Sequence, residues 1–457
     1  MGSLRRLLRI VRGSLSGLTT RGRSFLAAGV AAALTAVVLG QSSILRVGVL
    51  LAVVPLLGAS AVTRSQYRLA CTRRVEPARV PAGETAVVTL RLDNVSRIHT
   101  GVLLAEDRVP YVLGSRPRFV LDRVEPQGQR AVGYQVRSEV RGRFVLGPLG
   151  VRLSDPFGMC ELHRSFAATD TLVVTPVVVP LPVLPLEGSL SGSGTSSARS
   201  VAAAGEDDVS TREYRHGDAL HRVHWRSTAR RGELMVRREE QPWQSRATLL
   251  LDGRAACHAG EGPSSSYERA VSAIASVGVH LATRGYALTL VLPDLDGAAA
   301  VSPVAAHAGV RGEEAAAALL DRLAVLDPAP QPELRLSALD GRGAADALLV
   351  AVVADLTSAE AAELSRATGT SGRRRSCLAL VLDTATWRPG ATVQPGAPGS
   401  GAAATAALLR AAGWRTAVLG ATTPLPEAWA LLVGGVGSAA AAGAAAAGTY
   451  AREGGAA

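Results

Sequence analysis

Two uncharged apolar runs near the start of the chain constrain its fold more than any other feature. Phe25 to Gly40 carries no charge, and Val47 to Val62 repeats the pattern after the short polar link Gln41-Ser42-Ser43. At ~1.5 Å per helical residue each run reaches ~24 Å, a little under the ~30 Å hydrocarbon core of a bilayer. Arg21, Arg23 and Arg64 flank the runs and supply the missing length by snorkelling to the headgroups. The expectation is a two-helix transmembrane hairpin over 25–63 that follows a basic segment, 1–24, with the lipid bilayer as its first partner. A cleaved signal peptide would not be followed directly by a second apolar run. A buried soluble hairpin would need an amphipathic face, which both runs lack.

The arginines predict the orientation. Arg5, Arg6, Arg9, Arg12, Arg21 and Arg23 precede the first run, only Arg46 lies near the turn, and Arg64, Arg68, Arg73 and Arg74 follow the second. By the positive-inside rule both ends face the cytoplasm, so the expected location is the cell membrane with two passes. The same residues explain the formal charge of +11: positions 1–80 hold twelve arginines against Glu76, and the remainder balances at 37 basic to 37 acidic residues. A neutral body argues against nucleic acid as a partner, because phosphate neutralisation needs a basic face. The chain contains no lysine, which removes P-loop, Schiff-base and Ser-Lys chemistry. Cys71, Cys160, Cys257 and Cys377 are scattered and form no C-x-x-C pair, as expected of thiols in a reducing compartment.

From 67 to 182 short apolar alternations such as Val87-Val88-Thr89-Leu90-Arg91-Leu92 are separated by the turns Pro81-Ala82-Gly83, Asn94-Val95-Ser96 and Asp155-Pro156-Phe157-Gly158. This spacing predicts a small, Ig-like β-sandwich. A Gly/Ser linker follows over 183–204. Between 245 and 433 the apolar runs at 247–251, 287–292, 347–354, 377–382 and 416–419 alternate with helical stretches near 265–284, 312–326, 358–367 and 402–412. That alternation predicts an α/β domain, a parallel sheet with helices on both faces. The Ala/Gly-rich tail, 434–457, reads as a frayed helix or disorder. Gly435-Val436-Gly437-Ser438-Ala439-Ala440 follows an apolar run read as a strand, but only seventeen residues remain after it, too few for a dinucleotide fold. Gly188-Ser189-Leu190-Ser191-Gly192 puts leucine where a nucleophile elbow needs serine.

The densest chemistry lies in 205–240, with His216, His221 and His224, the acids Glu206, Asp207, Asp208, Glu213 and Asp218, and eight arginines over 212–238. Gly217-Asp218 can cap a short helix that places Arg222, Arg226 and Arg230 on one face, followed by a strand near 233–236. Three readings stand: a metal site on the histidines, an anion site on the arginine face, or an ion-pair clamp between the soluble domains with Tyr214 and Trp225 packed inside it. His216, Asp218, His221 and His224 are the acid/base candidates if the segment is an enzyme's.

Arg212-Glu213-Tyr214, Gly217-Asp218, Arg222, His224-Trp225, Ala229-Arg230, Leu234 and Val236-Arg237 together resemble the signature of the bacterial domain of unknown function 58 family. Arg141-Gly142-Arg143-Phe144, Leu146-Gly147-Pro148 and Asp155-Pro156-Phe157-Gly158 are similar to that family's second block. The resemblance spans nearly the whole chain and implies a von Willebrand factor A-like C-terminal domain, a MoxR-type AAA+ ATPase as partner alongside other membrane proteins, and no established catalysis. Arg212, Tyr214, Gly217, Asp218, Arg222, His224, Trp225 and Arg230 are then the signature or interaction residues. The D-x-S-x-S metal motif of von Willebrand A domains is degenerate here: Asp252 is kept, but Arg254 and Ala256 replace the two hydroxyls. No metal or cofactor is expected, and Asp252 is expected to pair with Arg254 or a neighbour. The function expected is a membrane-tethered scaffold that assembles or remodels an envelope complex. The alternative is an anion sensor or enzyme built on 212–238.

Overall fold

The computed structural model describes residues 17–64, 69–97, 99–100, 102–154, 157–184, 211–214, 225–237, 246–293, 299–303, 312–330, 334, 348–369, 376–390 and 394–434. The chain divides into two compact units, Met1–Thr175 and Pro176–Ala457. The break falls after Thr175 and not near 182, because Val177–Leu184 lies on the second unit. There the buried hydroxyls of α4 claim it: Ser272 Oγ donates to Val177 O at 2.7 Å and Val179 N donates to Ser276 Oγ at 2.9 Å.

The first unit opens with α1 (Thr20–Leu39) and α2 (Ser42–Arg64). Each is longer than the uncharged run inside it, since Thr19 caps α1 before the arginines and α2 begins at the link serines. Twenty and twenty-three residues give ~30 Å and ~34 Å, enough to cross a membrane, so the shortfall inferred from the runs disappears. The helices approach closely through small residues: a Cβ on Gly48 would lie 2.7 Å from Ala33 N, and one on Gly29 2.6 Å from Ala52 N. Their outer surfaces are apolar and exposed, as at Leu34, Val37, Val38, Leu50 and Leu57.

The strands that follow are β1 (Leu69–Glu76), β2 (Arg79–Pro81), β3 (Thr85–Asn94), β4 (Leu103–Asp107), β5 (Arg118–Leu121), β6 (Gln129–Arg137), β7 (Gly142–Leu146), β8 (Leu149–Ser154), β9 (Glu161–Phe166) and β10 (Asp170–Thr175). They form sheets ordered β1-β3-β6, β2-β10-β7 and β5-β4-β8-β9, antiparallel except for β2 against β10. The strict alternation of β3, inward at Ala86, Val88, Leu90 and Leu92, feeds two cores. Leu90 and Leu92 meet Leu103, Leu149, Val151 and Leu153, while Ala86 and Val88 meet Val80, Leu146, Leu172 and Val174.

Arg73 joins all three sheets from inside. Its Nη2 donates to Asp107 Oδ1 at 2.7 Å and its Nε to Oδ2 at 3.1 Å, and Nη1 reaches the carbonyls of Leu146 and Ala168. Tyr134 Oη donates to the same carboxylate at 2.7 Å. Arg73 was counted by sequence among the membrane-flanking charges. At 2% side-chain exposure it is a core residue instead, placed there by the inward register of β1.

The second unit contains β11 (Thr211–Glu213), α3 (Trp225–Arg231), β12 (Met235–Arg237), β13 (Arg246–Leu251), α4 (Ser266–Ala282), β14 (Ala287–Pro293), β15 (Ala299–Pro303), α5 (Glu313–Ala324), β16 (Leu348–Val353), α6 (Ser358–Gly369), β17 (Ser376–Leu382), α7 (Gly401–Ala411), β18 (Arg415–Leu419) and α8 (Leu425–Gly434). The main sheet runs β15-β14-β13-β16-β17-β18, with five parallel strands and β15 antiparallel at one edge. Its central strands are buried on both faces, which is why they read as unbroken apolar runs. α4, α5 and α8 cover one face around Ile274, Leu319 and Trp429, and α6 and α7 cover the other around Leu364 and Leu409. The apolar run before Gly435, read by sequence as a strand, is α8. Leu425, Ala428, Trp429, Leu432 and Val433 are all buried, and an all-apolar buried helix shows no distinguishing period.

Candidate functional site

In a parallel sheet with crossover helices, ligands and partners meet the carboxyl ends of the strands where the strand order reverses. Here the chain runs outward from β13 to β14 and β15 and then returns to β16 on the other side of β13, so the reversal lies between the ends of β13 and β16. Asp252 follows the last residue of β13 and Asp355 lies two residues beyond β16.

Arg254 occupies that position. Its Nε donates to Asp252 Oδ1 at 2.9 Å and its Nη2 to Oδ2 at 2.7 Å, a bidentate pair whose side chains are 3% and 0% exposed. Nη1 donates to Glu360 Oε1 at 2.7 Å and Nη2 to the carbonyl of Asp355 at 3.1 Å. Glu360 is held in turn by a capping box at the start of α6: Glu360 N donates to Thr357 Oγ1, and Thr357 N and Oγ1 both donate to Glu360 Oε2 at 2.8 Å. Burial alone would lower the pKa of Arg254, but the hydrogen bonds and charge of Asp252 outweigh it and raise the pKa, so the guanidinium is permanently charged.

His258 braces the same loop. Its Nε2 lies 3.0 Å from Asp252 O, which can only accept, so Nε2 carries the proton. Nδ1 then accepts from Ser266 Oγ at 3.0 Å, and that oxygen itself accepts from Ala259 N. Burial pushes the imidazole below its usual range and keeps it neutral. Burial likewise raises the Cys257 thiol, which removes a thiolate nucleophile. Asp355 is exposed as a residue, but its carboxyl packs on Gly401, and this partial burial, followed by the charge of Asp383 just beyond β17, raises it above the usual carboxylate range.

A divalent cation does not fit these residues. The Asp252 carboxylate is committed to a guanidinium, the neighbouring hydroxyls are replaced by Arg254 and Ala256, and no group of three metal-ligating side chains occurs among the described residues. One guanidinium is shared by two carboxylates here, Asp252 and Glu360. The site presents ordered loops at the carboxyl edge of the sheet, with the Ser266 hydroxyl engaged by His258 Nδ1 and Ala259 N.

The signature segment is described in part. Gly217, Asp218, Arg222 and His224 lie outside the described residues, as do His216 and His221. Arg212 lies on β11, which pairs antiparallel with β12, Arg212 opposite Val236. Tyr214 follows, half-buried, with its N–H donating to Leu234 O at 2.8 Å. Thr228 Oγ1 accepts from Met235 N at 3.0 Å and so ties α3 to β12 over the buried Met235. Trp225 is 69% exposed and Arg230 is exposed. Trp225 is thus exposed where the clamp reading expects it packed, and α3 is tied to β12 through Thr228. Glu360 was missed by sequence reasoning, because the only signal for it is the local Thr357-x-x-Glu360 cap, which says nothing of Arg254.

The family model described as "Protein of unknown function DUF58" matches residues 210–385, which bears out the resemblance drawn from the signature residues. No curated protein matches the chain. Among solved structures, the CARDB domain of a Pyrococcus furiosus protein in complex with di-metal ions is 10% identical, covering 24% of this chain and 88% of its own, with a TM-score of 0.18. A human seminal-plasma complex of zinc 2-glycoprotein and prolactin-inducible protein is 8% identical, covering 24% and 97%, at 0.19. Likenesses at this level decide neither fold nor function.

Proposed function

We propose that the chain is a membrane-tethered cytoplasmic adaptor whose α/β unit docks a partner without a metal ion, and whose own residues catalyse nothing. The observation that carries this reading is the grip of Arg254 on Asp252 and Glu360, which puts a fixed internal cation at the strand-order reversal. A von Willebrand A-like ancestry of this unit is supported by the strand order with its antiparallel edge strand and by an aspartate at the end of β13. The Ig-like reading of the β unit is supported by antiparallel sheets sharing one core.

Membrane crossing is supported by helix length, by exposed leucines and valines on α1 and α2, and by Pro55 within α2, which a membrane helix tolerates. Orientation rests on the arginine counts, from which Arg73 is now withdrawn. Leu18 before α1 and Ala59 near the end of α2 share one small buried cluster with Cys160, so the two outer ends of the hairpin lie together beside the β strands. A MoxR-type AAA+ ATPase is the partner that the family resemblance favours. Exposed Trp225 at the start of α3, with the exposed Arg230 and Arg231 in its last turn, makes this helix a second contact surface of the α/β unit, with the aromatic and arginine residues common at interface anchors.

Affinity purification of the full-length protein from native membranes at native expression tests the proposal. Recovery of an AAA+ ATPase is expected, and recovery of none contradicts it.

A further inference from the structure

The turn before β9 belongs to the second block of the sequence signature, and nothing above gives it a role. It is bolted to the first helix. Thr19, the N-cap of α1, donates from Oγ1 to Gly158 O at 2.8 Å and from its backbone N to Met159 O at 2.9 Å. Glu161 N donates to Gly17 O at 2.7 Å, and Leu18 bridges Cys160. Gly22, one turn into α1, packs directly on the Met159 carbonyl, where any Cβ would collide with it. The level of the turn along the helix axis is thereby fixed at the first turn of α1, where the exposed Arg21 and Arg23 mark the headgroup layer.

Phe157 precedes Gly158 in this turn and is 66% exposed. A phenyl ring so placed on a water-facing surface leaves most of its apolar area solvated, whereas at the headgroup–acyl boundary the same area is buried. The unit supplies its own control. Tyr111, 91% exposed, lies just beyond β4, whose last residue Asp107 pairs with Leu149 at the start of β8, while the Phe157 turn follows Ser154 at the end of β8. The two exposed aromatics therefore sit at opposite ends of one sheet, ~17 Å or more apart along the strands.

We infer that Phe157 enters the interface of the bilayer that α1 and α2 cross, a second point of attachment that seats the β unit on the lipid surface, with Tyr111 held away from it. The inference rests on the membrane reading of the hairpin. Fluorine NMR on the full-length protein in phospholipid vesicles tests it, with trifluoromethyl-phenylalanine placed singly at Phe157, Tyr111 or Phe25 and broadening read from lipids spin-labelled just below the headgroup. Strong broadening at positions 157 and 25, several-fold above that at 111, is the expected result. Broadening at 157 no greater than at 111, with position 25 broadened, overturns the interfacial contact and leaves the hairpin standing. Absence of broadening at 25 overturns the hairpin and the inference together.

Discussion

Arg73 and Arg254 make the same bidentate grip on an aspartate in two regions that differ in access. Arg73 is enclosed by three sheets, and its remaining donors go to the carbonyls of Leu146 and Ala168 and toward Asp170, all within the β unit. Arg254 sits at the open end of a parallel sheet, and its remaining donors go to a helix-capping glutamate and to the loop after β16. Identical chemistry therefore supports different conclusions. In the first case the pair fastens a core, and in the second it fills the place where a sheet of this topology receives a ligand.

The contrast can be broken by mutation. Arg73→Ala takes the bidentate cation from the fully buried Asp107, to which Tyr134 Oη still donates, and a donor from the carbonyls of Leu146 and Ala168, and is expected to destabilise the detergent-solubilised protein by ~3–5 kcal/mol. A loss no larger than that of Arg254→Ala would remove the distinction. Arg254→Ala is expected to cost less, ~1–3 kcal/mol, because backbone N–H groups remain to serve Asp252, as from Ala354 at 3.3 Å. Both losses are read from denaturant unfolding.

His280 sharpens the comparison as a half-buried base whose charged neighbour is a cation, Arg284. Burial first, and then Arg284, push its imidazole from 6.5 down to about 4, and its ring meets Trp429 edge-on at 5.7 Å. Between these values the unfolded chain binds a proton that the fold refuses, so this residue's share of stability is intact above pH 6.5 and is lost as pH falls toward 4. His280→Phe is expected to flatten part of the decline in Tm over that window. An unchanged decline would place the effect elsewhere.

Much of this architecture was legible in the sequence. The parallel strands are buried on both faces, so 247–251 and 377–382 read as continuous apolar runs, and the helices between them carry clear periods. β15 and α8 were not legible. The first is a short run of small residues held only by its pairing with β14, and the second is apolar all round. The charges were the hardest to read. Arg73 looked like a membrane-flanking residue because sequence distance from α2 says nothing about the inward register of β1. The pairing expected of Asp252 is made with Arg254, but its third member, Glu360, comes from 106 residues away.

The claim that an arginine stands where a cation would be needed is tested most directly by titrating the full-length protein with Mn2+ and following free ion by electron paramagnetic resonance. The account predicts no saturable binding by the wild-type protein and none by Asp252→Asn. One stoichiometric site in the wild-type protein that Asp252→Asn abolishes would contradict it.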